Sequence, residues 1–255
     1  VAPRAVVGRT LRGRGPLNPA GAVFVVTGAG SGIGRQVARE LVARGAIVAA
    51  ADVNLDSLAG TRSLAADPDR ITLHQLDISD KEAVDSFPSE VLARHGRVDG
   101  LFNIAGVGQS PSIVTDLADA EIERLLQINF WGTVWMTRAF LPVLSERPEG
   151  AVVMNTSSLS ALVPFPGAAV YGASKAAVAL FGYGLARDLR ATGSKVTVTT
   201  ALPGTIWTEL VRSSAAELGT SEALARRFAM SPERAARKLV DATLRGLGRS
   251  TPLRA

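Results

Sequence analysis

From residue 22 onward the chain alternates short, continuously apolar runs with longer stretches of helical spacing. The runs are AVFVVTG (22–28), AIVAAAD (46–52), ITLHQLD (71–77), VDGLFNIAG (98–106), GAVVMNTSS (150–158) and KVTVTTALPG (195–204). Each is bounded by glycine or polar residues and reads as a buried strand. Between them, Ile33, Val37 and Leu41 recur at helical spacing over 33–44. A polar helical stretch follows 52, a charged one lies near 80–95, and a long one covers 118–145. An Ala-rich stretch without proline surrounds 170–178, and two more helical stretches run over about 207–229 and 231–246. Strands apolar on both faces and separated by helices predict a parallel sheet covered on both sides. Short, right-handed crossovers make it a single doubly wound α/β domain with six or seven strands. The closing GRSTPLRA has no apolar run, so a seventh strand is not expected from it.

Bulk composition narrows the chemistry. A length of 255 residues and an apolar fraction of 47% suit one large globular domain. There is no cysteine, which excludes disulfides, thiolate metal sites and a cysteine nucleophile. The two histidines, His74 and His95, have no partners at metal-ligand spacing, so no metal is expected. No apolar run reaches the ~18 residues of a membrane span and no signal segment is visible, so the reading is cytoplasmic and without a membrane partner. The net charge is +5, but Arg4, Arg9, Arg12 and Arg14 leave about +1 over the remainder, which argues against a nucleic-acid partner. Residues 1–20 read as a basic, flexible extension and 21–255 as the folded domain. An organellar targeting segment is the alternative that the Pro and Gly of GRGPLNPAG oppose.

Ligands of doubly wound sheets collect at the carboxyl ends of the strands. After the first strand stands TGAGSGIG, Thr27 to Gly34. Glycines between strand and helix let backbone approach phosphates at a helix N-terminus. Gly28, Ser31, Gly32, Ile33 and Gly34 are the candidate phosphate cradle, although the spacing is not G-x-G-x-x-G. Asp52 ends the second strand, where a carboxylate would meet ribose hydroxyls and repel a 2′-phosphate. That favours NAD over NADP, with Arg35 as the counter-argument and a helix N-cap as the structural alternative for Asp52. Asp77 and Ile78 follow the third strand, with Asp77 an equally good N-cap. Asn103, Ala105 and Gly106 follow the fourth and Ser157–Ser158 the fifth. Pro203, Gly204, Ile206 and Thr208 follow the sixth.

The stretch VYGASKAAV places Tyr171 and Lys175 one helical turn apart in a chain with two tyrosines and four lysines. These residues in this order resemble the classical short-chain dehydrogenases/reductases over roughly 20–247. The TGxxxGxG pattern falls on Thr27, Gly28, Gly32 and Gly34. NNAG appears as NIAG with Ile104 substituted, the helix asparagine matches Asn129, and PGxxxT runs from Pro203 to Thr208. The serine thirteen positions before the YxxxK tyrosine is Ser158 rather than Ser157. The resemblance implies a Rossmann fold, a nicotinamide cofactor, and an Asn129–Ser158–Tyr171–Lys175 active site acting on an alcohol or ketone. Tyr171 would be the general acid/base, with Lys175 lowering its pKa and holding the ribose. Ser158 would bind the substrate oxygen and Asn129 position a relay water. Lowering a phenol by ~3 units takes about 4 kcal/mol, which one ammonium ~4 Å away at an effective dielectric of ~20 supplies.

Substrate choice is expected in 107–116, 159–168 and the stretch after Pro203. Val163, Phe165, Ile206, Trp207 and Leu210 there imply a mainly apolar secondary alcohol or ketone. Alanine at 161, where many relatives carry glycine, would reshape the pocket wall slightly. Gly182 and Gly184 suggest close helix approach across a subunit interface with 118–145, hence a homodimer or homotetramer. The alternatives are an NADPH-dependent ketone or 3-oxoacyl reductase, should Arg35 outweigh Asp52, and a cofactor-sensing regulator without catalysis.

Overall fold

In the computed structural model, residues 16–217, 221–222, 226–227, 229–247 and 251–253 are described. All six apolar runs are strands: β1 (Val23–Thr27), β2 (Ile47–Asp52), β3 (Ile71–Gln75), β4 (Gly100–Asn103), β5 (Ala151–Thr156) and β6 (Val196–Pro203). A seventh, β7 (Thr251–Leu253), joins them in one parallel sheet of order β3-β2-β1-β4-β5-β6-β7. Helices α1 (Gly32–Ala43), α2 (Leu55–Ser63), α3 (Lys81–His95), α4 (Asp119–Leu126), α5 (Thr133–Ser145), α6 (Ala169–Ala191), α7 (Glu209–Glu217) and α8 (Pro232–Leu244) accompany it. Strand order reverses between β1 and β4, and a crevice opens beyond that point at the carboxyl ends.

Alternation along each strand divides the core in two. Phe24, Val26, Val48, Ala50, Val152 and Met154 pack with Val37, Leu41, Leu239 and Val240 on the α1–α8 face. Val25, Ala49 and Val153 pack with Phe87, Phe140 and Leu144 on the α3–α5 face. Each fully buried Leu or Phe contributes about 1.5–3 kcal/mol, so both helical layers are held mainly by apolar burial.

Three expectations change. The seventh strand exists despite its missing apolar run: β7 pairs parallel to β6 through Ala201↔Thr251 and Pro203↔Leu253. An edge strand needs partners on one side only, which is also why Pro252 is tolerated. The long 118–145 helix is broken into α4, a π-helical turn at Gln127–Gly132, and α5. An apolar pattern at helical spacing does not distinguish an i→i+5 turn from an α-helical one. Residues 1–15 lie outside the described residues, but the end of the expected extension is docked. The Leu17 N–H donates to the Leu244 carbonyl at 2.7 Å, and its side chain packs against the α1–α8 core.

Candidate active site

The glycine loop between β1 and α1 is shaped by what it touches. Gly28 has φ +65°, and a Cβ on it would lie 2.8 Å from Ala105 Cα; one on Gly34 would lie 2.0 Å from the Gly28 carbonyl oxygen. Only glycine lets this loop pack against the NIAG turn, leaving its backbone free to approach a ligand. Gly28, Ser31, Gly32, Ile33, Gly34, Asp52, Asp77, Ile78, Ala105, Gly106 and Thr208 line one cavity of about 540 Å³. The Asp52 carboxylate accepts the Gly30 N–H at 2.9 Å and the Asn54 N–H at 3.1 Å. Neither carboxylate is a helix N-cap, because Asn54 caps α2 and Asp80 caps α3. Arg35 is engaged elsewhere, its guanidinium donating to the Gly30 carbonyl and to Thr61 Oγ1. A glycine cradle at a helix start with a carboxylate at the end of β2 fits a dinucleotide.

A second cavity, of about 430 Å³, adjoins the first and contains Ser158, Tyr171, Lys175, Pro203, Gly204 and Ile206. Ser158 Oγ donates to Ser160 Oγ at 3.2 Å and accepts the Ser160 N–H at 3.1 Å, and it lies close enough to the Tyr171 phenol to lower its pKa in part. Ser157 lines the same cavity, with its hydroxyl committed to the Lys175 carbonyl at 2.6 Å. Lys175 is 4% exposed, donates to the Thr156 carbonyl at 3.3 Å and lies 5.9 Å from the centre of the Tyr171 ring. Burial lowers its pKa to about 8.

The phenol does not follow the sequence argument. Burial pushes the Tyr171 pKa up, and the Ser158 hydroxyl offsets this in part. Taking a phenolate out of water costs more than the neighbouring groups of the chain return, and Lys175 is itself weakened as a cation by the same burial.

Two expected site residues line neither cavity. Asn103 Nδ2 donates to Thr137 Oγ1 at 3.0 Å and to Asn155 Oδ1 at 2.9 Å, tying β4 to β5 and α5. Asn129, in the π-helical turn, accepts the Val107 N–H at 2.8 Å and donates to the Val107 carbonyl at 3.0 Å and to Ser174 Oγ at 3.1 Å. Its amide clamps the loop after β4 onto α6. Gly106 passes so close that a Cβ there would lie 2.9 Å from Asn129 Oδ1 and 3.0 Å from Lys175 Nζ. Of the expected specificity residues, Phe165 and Ile206 line the second cavity, whereas Val163 and Trp207 do not. The Leu210 side chain lies outside what is described. Sequence reading included Gln109 of the second cavity only as part of the 107–116 stretch, and missed Arg124 in the first. Arg124 and Ile128 stand four apart on consecutive turns, a spacing that could have flagged them; Gln109 carries no local signal.

Comparison with known proteins places this geometry among relatives. The family model described as short chain dehydrogenase matches residues 22–219. SadH of Mycobacterium tuberculosis, named as an oxidoreductase, is 37% identical over 237 residues, covering 90% of this chain and 85% of that protein. Sulfoacetaldehyde reductase 2 of Chromohalobacter salexigens is 36% identical over 211 residues, covering 80% of this chain and 81% of that one. A short-chain dehydrogenase/reductase of Burkholderia phymatum, solved in complex with NAD, superposes with a TM-score of 0.72 at 30% identity, covering 90% and 81% of the two chains.

Proposed function

The chain belongs to the short-chain dehydrogenase family and is an NAD(P)-dependent oxidoreductase acting on CH–OH groups, and on that premise we propose that it uses NAD with an apolar secondary alcohol or ketone. The observation that carries the substrate class is the wall of the second cavity. Among the described residues lining it, Lys175 is the one charged side chain, and Val107, Pro111, Leu159, Phe165, Ile206 and Val211 supply apolar surface. Two of its polar members are committed to the backbone: the Gln109 amide makes four hydrogen bonds, and the Ser157 hydroxyl donates to the Lys175 carbonyl. A small anionic substrate such as that in the name of the Chromohalobacter relative would find no arginine on this wall. A carbonyl on an apolar frame would meet Ser158 and Tyr171.

The dinucleotide would supply or accept the hydride. The chain's part is the proton and its placement. Tyr171 donates to the alkoxide that develops in reduction and accepts from the alcohol in oxidation. Ser158 donates to the same oxygen, and Lys175 lies beneath the phenol and supports the ribose side. Asn129 holds the loop that carries Gly106 and Val107 and, within this proposal, positions the relay water. Asp52 accepts from the adenosine ribose, and Arg35, being engaged with Gly30 and Thr61, does not offer itself to a 2′-phosphate; both favour NAD. The same proposal includes a cytoplasmic enzyme and a homodimer or homotetramer formed through the α4–α6 face.

Fluorescence titration with NADH and NADPH tests the cofactor choice, tighter NADH binding being expected and tighter NADPH binding moving the assignment to a reductase of the other cofactor. Tyr171→Phe is expected to abolish turnover of apolar ketones with NADH affinity within about twofold. Near-native turnover in that variant overturns the acid/base assignment.

A further inference from the structure

Helix α6 carries Tyr171 in its first turn, yet Ala168 at its N-cap has no side chain that could accept from that turn. The first-turn N–H groups of a helix need acceptors, usually from a Ser, Thr, Asp or Asn at the cap. Here the acceptor comes from far along the chain. Gln109 Oε1 accepts the Val170 N–H at 3.1 Å and the Tyr171 N–H at 3.0 Å. Its Nε2 donates to the Gly167 carbonyl at 2.8 Å and to the Ser112 carbonyl at 3.3 Å. Gly167 also accepts the Ser112 N–H at 3.2 Å and approaches so closely that a Cβ on it would lie 3.1 Å from Ser112 N. One side chain, 6% exposed, therefore joins the loop after β4, the loop before α6 and the backbone of Tyr171 itself.

We propose that Gln109 is the positioning residue for Tyr171: it caps α6 from the substrate-side loop and fixes the phenol against Ser158. The proposal rests on Tyr171 being the acid/base. A residue in the first turn moves when that turn loosens, whereas the remainder of a 23-residue helix packed on β5 and β6 does not. Gln109 thus acts on the reacting proton through backbone, without touching it, and ties its placement to closure of the loop that walls the cavity.

The test uses the full chain with NADH and an apolar ketone, and compares Gln109→Met with Gln109→Glu. Methionine keeps the volume and loses all four hydrogen bonds; glutamate keeps the acceptor that faces Val170 and Tyr171. For Gln109→Met, kcat is expected to fall about tenfold to a hundredfold, the size of an ångström-scale misplacement, with NADH affinity within about twofold. The alkaline limb of its kcat–pH profile is expected to move. Gln109→Glu is expected to restore kcat to within about fivefold of the native value. Native kcat and pH profile in Gln109→Met overturn the proposal, as does a fall in kcat matched by an equal loss of NADH affinity, which would mark a general structural role. If the methionine variant does not fold, a folded Gln109→Glu whose kcat is more than tenfold down with NADH affinity retained overturns it. Failure of the underlying reading is seen separately, as turnover surviving in Tyr171→Phe.

Discussion

Lys175, placed beside the phenol in the proposed mechanism, is a residue the fold holds at a cost. It is buried, bonded only to the Thr156 carbonyl by its ammonium, and its pKa falls from the ordinary 10.5 to about 8. A cation whose pKa is depressed on folding binds its proton better in the unfolded chain. It therefore destabilises the fold at pH values below about 8, the penalty shrinks between about 8 and 10.5, and above that it is gone. At neutral pH the penalty is about 3 kcal/mol, and losing the Thr156 hydrogen bond offsets ~1 kcal/mol of any gain. Lys175→Met is accordingly expected to stabilise the protein by roughly 2 kcal/mol at pH 7, to show no gain near pH 10.5, and to lose turnover. Thermal melts across that range check it, and an unchanged or lower Tm at pH 7 would contradict the pKa direction. The spacing put Tyr171 and Lys175 on one helix face, and it took the motifs in the rest of the chain to make them a candidate pair. The direction of the phenol's shift was legible in neither, because desolvation sums over everything packed around the ring.

At the scale of elements, α6 corrects the expectation about its two glycines. A Cβ on Gly182 would lie 2.1 Å from Thr200 Oγ1 and 3.4 Å from Asn155 Nδ2, so this glycine lets the helix approach its own sheet rather than a partner subunit. Gly184 is exposed and has nothing within 4 Å of where its Cβ would be. Gly182→Ala is expected to cost about 1–3 kcal/mol through overpacking. Thr200→Ala, which removes the 2.1 Å clash and leaves approaches of 3.3 Å to the residue-200 Cβ and 3.4 Å to Asn155 Nδ2, should recover part of it. Gly184→Ala is expected to stabilise by up to ~1 kcal/mol, since alanine loses less entropy in a helix. Urea unfolding of the three variants and the double mutant measures all four effects. The π-helical turn is the other element that spacing concealed. It buries Asn129, and its Gly132 leaves room for Ile78, a wall of the nucleotide cavity; a Cβ at Gly132 would stand 2.6 Å from Ile78 Cδ1.

For the whole molecule, the sheet order brings the ends of β1, β2, β4, β5 and β6 to one crevice, so that short polar segments far apart in sequence form two adjoining cavities. The α4–α6 side carries exposed apolar side chains. Leu180 is 74% exposed, Trp131 45% and Leu126 37%, with Trp131 stacked on Trp135 at 6.0 Å between ring centres. Covering these side chains with a second copy would remove apolar surface from water, in keeping with the proposed assembly. Solution scattering is expected to give the mass of a dimer or tetramer, and Leu180→Glu to shift it to the monomer. A native protein that scatters as a monomer would remove the assembly from the proposal.

The sequence by itself determined six strands, their parallel doubly wound arrangement, the glycine-rich turn and Asp52 at the end of β2, all carried by local periodicity and by position at strand ends, where backbone geometry leaves few choices. Ser158, Tyr171 and Lys175 were named together only through the family resemblance, since Ser158 and Tyr171 stand in different elements. Only the tertiary structure decided that Asn103 and Asn129 turn into packing and loop contacts, that Arg35 is engaged, and that burial raises the phenol's pKa. It also decided that Gln109, more than sixty residues upstream of Val170 and Tyr171, caps the helix they begin. Each of these depends on which groups meet across the fold and how much water they lose there. Neither follows from the order of residues within one element. The seventh strand belongs with them, because a short edge strand is recruited by the open hydrogen-bonding edge of β6 rather than by an apolar pattern of its own.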